Sequence, residues 1–372
     1  MADGEIFQRM GMTGEEFMTQ WLDDSPYIEA HTSGSTGKPK DIRLLKSDML
    51  QSARATNTFF GIEADSLLAS PLSPDYIAGK MMYVRAFAAG CRMAQLPVSN
   101  NIEFPEANGT CTPAGSTLAL DRRVTLLPVV PSQLQSLIAQ PHLSARIANV
   151  LIGGAAPSAA QCRALAKAGY RAFVSYGMTE TCSHVALAPA DGGQHPFRAM
   201  PGISFDTDTD GRLIINAPTF SFGRLITTDI VDLHDEHTFT WRGRADGVIN
   251  SGGIKLFPEE LETEYTHILS AGGVAESGRS MERPYVLCKA FTESNEPVLL
   301  VRGMPHPVWG EAVELQIEAP EQCVAGSEAC RRLTDAIEST LREAIADHRR
   351  LPKRITVVAA LPRTSTGKLR RR

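Results

Sequence analysis

The sequence predicts an α/β protein: a large N-terminal α/β domain with a small β-rich subdomain, followed by a small α+β C-terminal domain. Three observations carry this. The chain has 372 residues, 43% apolar and 21% charged, enough for two or three domains with ordinary hydrophobic cores. Between residues 30 and 190, short apolar runs alternate with segments of helical spacing, the pattern of a mainly parallel sheet. After Pro201 the texture changes to short strand-like runs with turn residues between them, and beyond the polar stretch 243–247 to a compact mixture of helices and strands. The boundary falls near Arg244 to Gly247, giving domains 1–244 and 248–372 joined through 245–247.

The elements follow in order. Residues 47–60 read as a helix with Ser47 as N-cap. Leu67 to Ser70 is a short strand, closed by Pro71 and Pro74. Ile77 to Ala89 is a mostly apolar helix ended by Gly90. Val124 to Val130 reads as a strand and Ser132 to Ala139 as a helix. Val150 to Ile152 is a strand, Gly153-Gly154 a turn, and Pro157 the start of a helix running to Lys167. Phe173 to Ser175 is a strand ending at Tyr176-Gly177. Short strands are expected at Arg212 to Asn216, Arg224 to Thr227 and Phe239 to Arg242. The C-terminal region reads as helix Glu259 to Leu269, strands Tyr285 to Phe291 and Val298 to Val301, helix Cys330 to Ile345 and strand Ile355 to Val358.

Composition excludes several functions. A net charge of −5 does not suit a nucleic-acid binder. No run reaches the ~18–20 apolar residues of a membrane helix, and the acidic stretch Met1 to Met18 lacks the apolar core of a signal peptide. Seven cysteines, an odd number without a C-x-x-C, read as reduced thiols of a cytoplasmic protein. His234 and His237 sit in an Asp/Glu/His-rich turn between two strand-like runs, a surface hairpin and not a metal site. G-x-S-x-G, G-x-G-x-x-G and H-E-x-x-H are absent, which removes the common hydrolase, dinucleotide and zinc readings.

The strongest local signal is His31-Thr32-Ser33-Gly34-Ser35-Thr36-Gly37-Lys38-Pro39-Lys40. Glycines let backbone N–H groups converge on an anion, while hydroxyls and two lysines add donors and charge, as a polyphosphate requires. It is not a Walker A loop, since Thr32 and Pro39 stand where Gly and Ser/Thr are needed. The segment resembles the phosphate-binding loop of the adenylate-forming enzymes: acyl-CoA synthetases, luciferases and peptide-synthetase adenylation domains. Five further segments resemble that family's motifs in its own order: Tyr176-Gly177-Met178-Thr179-Glu180-Thr181, Thr228-Asp229, Gly243-Arg244-Ala245-Asp246, Asn250 to Glu262, and Leu361 to Lys368. Together they span residues 31–368.

The resemblance implies a set of roles. ATP, Mg²⁺ and CoA would be the nucleotide, metal and co-substrate. Thr32, Ser33, Gly34, Ser35, Thr36, Gly37, Lys38 and Lys40 would hold phosphates, with Gly154, Tyr176 and Gly177 at the adenine side. Asp229 and Arg244 would meet the ribose. Thr179 and Glu180 would meet phosphate and Mg²⁺, and Lys368 would be the catalytic lysine. The C-terminal domain would be mobile, turning about Asp246 to bring Ser251, Gly252, Gly253 and Lys255 to a pantetheine tunnel. Only about thirty residues precede the loop, so the family's N-terminal subdomain is expected to be reduced.

Tyr76 to Met82 with Arg85, Val129 to Leu134, and Met178 to Leu187 resemble the o-succinylbenzoate–CoA ligase branch. That implies a dicarboxylic aromatic acid as substrate, lined by Tyr76, Lys80, Arg85, Gly153 and His184, with Arg85, or Lys80 as a second candidate, at the second carboxylate. Asp75-Tyr76 stands where many relatives carry an aromatic–His pair. The expected activity is an AMP-forming acid–thiol ligase working through an acyl-AMP, in menaquinone biosynthesis. Another aryl or short acyl acid, a carrier-protein thiol as acceptor, or a non-catalytic nucleotide-binding module are the alternatives. Expected partners are small molecules, not nucleic acid or membrane, with a homodimer left open.

Overall fold

The computed structural model describes residues 12–31, 41–104, 122–271, 287, 296–318, 327–363 and 369–370. The elements run α1 (Gly14–Leu22), β1 (Tyr27–His31), β2 (Asp41–Leu45), α2 (Lys46–Phe60), β3 (Leu67–Ser70), α3 (Ile77–Ala89), β4 (Arg92–Gln95), β5 (Leu127–Val129), α4 (Leu134–Ile138), β6 (Val150–Ile152), α5 (Ala159–Lys167), β7 (Ala172–Met178), β8 (Ser183–Pro189) and β9 (Phe197–Ala199). They continue through β10 (Ser204–Thr207), β11 (Arg212–Ala217), β12 (Gly223–Asp235), β13 (Thr238–Arg244), β14 (Ile249–Ser251), β15 (Ile254–Leu256), α6 (Pro258–Ala271), β16 (Leu299–His306), β17 (Gly310–Glu318), α7 (Glu328–Ala344) and β18 (Arg354–Val358). Two compact units result, Met1–Phe205 with Ile215–Leu225 and Asp235–Thr238, and Asp206–Ile214 with Ile226–His234 and Phe239–Arg372. Ala245–Gly247 lies inside the second.

In the first unit β5, β6 and β7 are parallel, β8 pairs antiparallel with β7, and β9 pairs antiparallel with β8. The parallel core is apolar on both faces, as a covered sheet must be: Leu127, Val129, Val150 and Ile152 pack with Leu134, Leu137 and Leu165 from α4 and α5. A separate cluster joins α1, α2 and α3 through Phe17, Trp21, Met49, Ala53, Met81 and Val84. Helix α1 is held by a capping box, with Thr13 Oγ1 accepting from Glu16 N and Glu16 accepting from Thr13 N.

Several expectations shift. Helix α2 begins one residue early, with Leu45 as N-cap and no side-chain cap, so Ser47 lies within its first turn. The chain at 124–129 is a regular strand only over β5. Its earlier residues donate alternately to both sides, Val124 N to Arg146 O and Thr125 N to Leu67 O. The helix expected from Ser132 divides into a 3-10 turn at Pro131–Gln133 and the short α4. Pro157 precedes α5 instead of opening it. Ser158 is the cap, with a reciprocal bond to Gln161. Strand β12 extends well beyond Thr227, to Asp235. Gly90 ends α3 in a left-handed conformation, φ 66°, as its residue type suggests.

In the second unit β16 and β17 pair antiparallel from Leu299↔Ile317 to His306↔Gly310, and β18 pairs parallel to β17. Helices α6 and α7 cover them, with Tyr265, Leu269, Leu333, Ile337 and Leu341 closing on Leu299, Val301, Val313, Leu315 and Ile317. Ser327 caps α7 by accepting from Cys330 N. The strand expected at Tyr285–Phe291 lies outside the described residues except for Leu287, which is helical and buried in this core. His234 lies near the end of β12 and His237 in the turn that joins it to β13, the hairpin expected there.

Candidate active site

In a parallel α/β sheet, ligands collect at the carboxyl ends of the strands. In the first unit that edge carries Gly153-Gly154 after β6 and Tyr176 to Glu180 at the end of β7. Gly154 has φ 83°, a conformation that suits only glycine, and Gly153 N donates to Val129 O at 2.9 Å. Ser175 Oγ donates to Ile152 O at 2.8 Å, tying β7 to β6 beside this turn. The half-buried Tyr176 ring lies 5.7 Å from the Phe197 ring, inclined by 55°.

The Tyr176–Thr181 signature is a tight β7–β8 connection. The register slips between Tyr176 and Gly177, a bulge that re-aims the chain. A Cβ at Gly177 would fall 2.1 Å from Ser183 O, so the two strands touch backbone to backbone there. Thr181, fully buried, accepts from Met178 N at 3.0 Å and its hydroxyl reaches Ser183 O at 2.7 Å. Cys182 and Ser183 follow with φ 58° and 131°, strained values for residues with side chains. These constraints fix the turn's backbone and leave Glu180 exposed.

Behind this turn the structure gathers Arg85 from α3 and Ser183 and His184 from β8. Arg85 is 1% exposed. Its guanidinium donates to Ser183 Oγ at 3.2 Å and to Met82 Sδ at 3.3 Å, and its Nε has no partner. Among the described residues no carboxylate pairs with it. Burial pulls Arg85 down to about 10. His184 is buried beside it, and desolvation followed by the Arg85 charge holds the imidazole well below its ordinary value, so it is neutral.

Lys80 lies apart from this cluster. It is 1% exposed, its Nζ reaches Met12 Sδ at 3.5 Å and sits 5.3 Å from the Phe17 ring centre. It borders a cavity of about 350 Å³ with Met12, Gln20, Tyr27 and Asp75 on its wall. Burial lowers its pKa, against the opposing charge of Asp75. The spacing explains the separation: five residues on a helix turn the side chain through about 140°. Tyr76, the α3 N-cap, is exposed.

The second unit holds Asp229 and Arg244 on β12 and β13. Asp229 is buried, and Trp241 Nε1 donates to its Oδ1 at 3.2 Å. Arg244 donates to Asp246 through Nε at 3.0 Å and a terminal nitrogen at 3.4 Å. Burial pulls Arg244 down, but the Asp246 carboxylate, with Asp229 and Glu259 nearby, raises it on balance. Ser251, Gly252, Gly253 and Lys255 form the β14–β15 hairpin, whose two glycines have φ 55° and 85°. Ser251 is fully buried and its Oγ has no partner. Lys255 is exposed.

Thr32 to Lys40 and Lys368 lie outside the described residues; the strands flanking the former pair antiparallel, His31 opposite Asp41. Sequence reasoning missed Ser183, Thr56, Phe197 and Trp241. One of these carried a usable signal: Trp241, an aromatic within the Phe239–Arg242 run beside Gly243-Arg244. Among the described residues no three His, Cys, Asp or Glu side chains gather to hold a metal, and no helix is long and apolar enough to cross a membrane. Cys91, Cys162, Cys182 and Cys330 are free thiols.

The model of the family described as AMP-binding enzyme matches residues 13–208. A Mycobacterium tuberculosis protein named "Probable 2-succinylbenzoate--CoA ligase" is 30% identical over 276 residues, covering 68% of this chain and 67% of that protein. A Staphylococcus aureus 2-succinylbenzoate–CoA ligase is 25% identical over 375 residues, covering 94% of this chain and 66% of that one. The chain thus spans about two thirds of the length of these relatives. Among solved structures, an acyl-CoA synthetase/AMP-acid ligase II-like protein from Dyadobacter fermentans superposes with a TM-score of 0.54 at 28% identity, covering 95% of this chain and 90% of its own. The o-succinylbenzoate coenzyme A synthetase of Bacillus subtilis, in complex with ATP and magnesium ion, gives 0.66 at 21% identity, covering 92% and 68%.

Proposed function

Since this chain belongs to the AMP-binding enzyme family, we propose that it is an ATP-dependent acid–CoA ligase acting on o-succinylbenzoate. The observation that carries the choice of acid is Arg85, a buried cation with no carboxylate partner among the described residues, set behind the β7–β8 turn. A buried guanidinium calls for an anion with fixed geometry. A substrate with a second carboxylate supplies one, which a monocarboxylic acid does not.

In the proposed reaction the substrate carboxylate attacks the α-phosphate of ATP, forming acyl-AMP and releasing pyrophosphate. The CoA thiol then attacks the acyl carbonyl and AMP leaves. The protein's work is positioning and charge neutralisation. Gly153-Gly154 and Tyr176 offer a backbone cradle and an aromatic face at the strand ends. The exposed Glu180 suits Mg²⁺, which is commonly held by one or two carboxylates plus substrate phosphates and not by a protein cage. Mg²⁺ would there neutralise phosphate charge. Asp229 offers a buried acceptor for ribose hydroxyls, and Arg244 a cation fixed by Asp246. Thr32 to Lys40 would take the β- and γ-phosphates and Lys368 the α-phosphate and substrate carboxylate. Asp246 would be the pivot of the C-terminal domain, with Ser251 to Gly253 and Lys255 at the pantetheine arm.

The test measures acid-dependent AMP and CoA-thioester formation with o-succinylbenzoate, benzoate, a fatty acid and acetate, in wild type and Arg85→Met. Wild type is expected to prefer o-succinylbenzoate. Arg85→Met is expected to raise KM for it by about a hundredfold, the loss of one charge-assisted contact of about 2–3 kcal/mol, while KM for ATP stays. Preference for another acid in the panel overturns the substrate.

A further inference from the structure

Three residues from two elements form a chain of contacts that ends on Arg85. Thr56, fully buried on α2, donates its single hydroxyl proton to Ser52 O at 3.0 Å. Its oxygen can therefore only accept from His184 Nε2, 3.2 Å away. That places the neutral imidazole's proton on Nε2 and leaves Nδ1 as an acceptor. Nδ1 faces Ser183 Oγ at 3.5 Å, the long end of hydrogen-bond range. Ser183 Oγ in turn accepts from Arg85 at 3.2 Å and, among the described residues, is the oxygen that receives the guanidinium. Next to Thr56, Asn57 Nδ2 donates to the Arg85 backbone oxygen at 2.9 Å, so one turn of α2 grips both ends of the chain.

We propose that Thr56 is a positioning residue for acid recognition, acting through His184 and Ser183 to aim the Arg85 guanidinium. This rests on the reading of Arg85 as the anchor of the second carboxylate. The physical argument is one of preorganisation. Arg85 has five donors, and Met82 Sδ and Ser183 Oγ occupy two nitrogens while Nε is left without a partner. A guanidinium pinned on one edge by a hydroxyl presents its other edge in a fixed plane, and bidentate recognition of a carboxylate depends on that plane. Ser183 is itself held at φ 131°, which sets the direction in which its Cβ leaves the strand. Without an acceptor at position 56, the His184 Nε2–H would be a buried, unpaired donor, and the ring would rotate away from Ser183.

The experiment compares o-succinylbenzoate with 4-oxo-4-phenylbutanoate, the same acid without its ring carboxylate, as substrates of the full chain. Thr56→Val removes the acceptor at nearly constant volume, and His184→Leu removes the middle of the chain should the first variant not fold. In Thr56→Val, KM for o-succinylbenzoate is expected to rise about tenfold, the equivalent of one lost neutral hydrogen bond. KM for the monocarboxylate and for ATP is expected to stay within about twofold, and Thr56→Ser to restore the wild-type value. An equal rise for both acids assigns Thr56 a merely structural role and overturns the proposal. An unchanged KM in Thr56→Val beside a raised KM in Arg85→Met overturns the positioning role alone. No change in either variant removes the anchor, and the chain of contacts with it; no turnover of either acid by wild type defeats the reading of the enzyme itself.

Discussion

Arg85 and His184 are neighbours whose charges are settled by the same burial. Desolvation and the guanidinium keep the imidazole neutral in the folded state, whereas the unfolded chain takes up a proton near pH 6.5. Below that pH the unfolded state binds more protons, so folding stability falls as pH falls, until the depressed folded pKa is reached. His184→Gln, which keeps a donor and an acceptor, is expected to remove up to about 1.4 kcal/mol of this loss per pH unit. Urea unfolding of both proteins between pH 7.5 and 5 checks it, and parallel curves would refute it. The sequence offered Arg85 through the family resemblance and its place on the Ile77 helix. Thr56 and Ser183 were not legible there, since their roles depend on contacts across 128 and 98 positions of chain. Lys80 was legible as a residue and not as a place: its five-residue offset from Arg85 turns it toward Phe17 and Met12.

At the scale of elements, the β7–β8 turn shows how a motif becomes a geometry. Gly177 has no room for a Cβ, because Ser183 O and His184 Cα would lie 2.1 and 2.6 Å from it, both backbone atoms that cannot swing aside. Gly177→Ala is expected to destabilise the first unit by about 2–4 kcal/mol, read from denaturant unfolding followed by Trp21 fluorescence. A loss below about 0.5 kcal/mol would show that the strands separate freely there. Helix ends were read well where a glycine closes them, as at Gly90, and less well where the structure uses no side-chain cap, as at Leu45. The β5 region was read as one long strand because its apolar run is continuous. Hydrogen bonding alternates between two neighbours along it, which a one-dimensional pattern does not display.

Across the whole molecule, the described residues build separate cores. Leu315, Val313 and Ile317 pack only with residues of the second unit, and Val150 and Ile152 only with residues of the first. Leu315→Ala is expected to cost the second unit about 2–5 kcal/mol through the lost side chain and the cavity left behind. The measurement uses single-tryptophan proteins: Trp309 reports the second unit and Trp21 the first. The Trp309 midpoint is expected to fall while the Trp21 midpoint stays, and a common shift would mean that the two unfold together. The alternation of strands and helices points to the first unit, whereas the change of texture after Pro201 reads as a subdomain of the large domain, with the boundary at 244–247, a stretch that lies inside the second unit. The exact division did not follow from composition, because strands β10 to β13 each contribute residues to both units.

The turn between β7 and β8 also bears on how such a site can diversify. Its shape is secured by Gly177, by the buried Thr181 hydroxyl, by the backbone of Ser183 and by the bond from Cys182 N to Thr179 O, while the side chains of Thr179 and Glu180 make none of these contacts. On the proposed function, chemistry and scaffold would fall to different side chains of one short segment. Random replacement is then expected to find 179 and 180 permissive for folding but decisive for turnover, and 177 and 181 intolerant already at the level of folding. A lineage can explore new reactivity there without first acquiring spare stability.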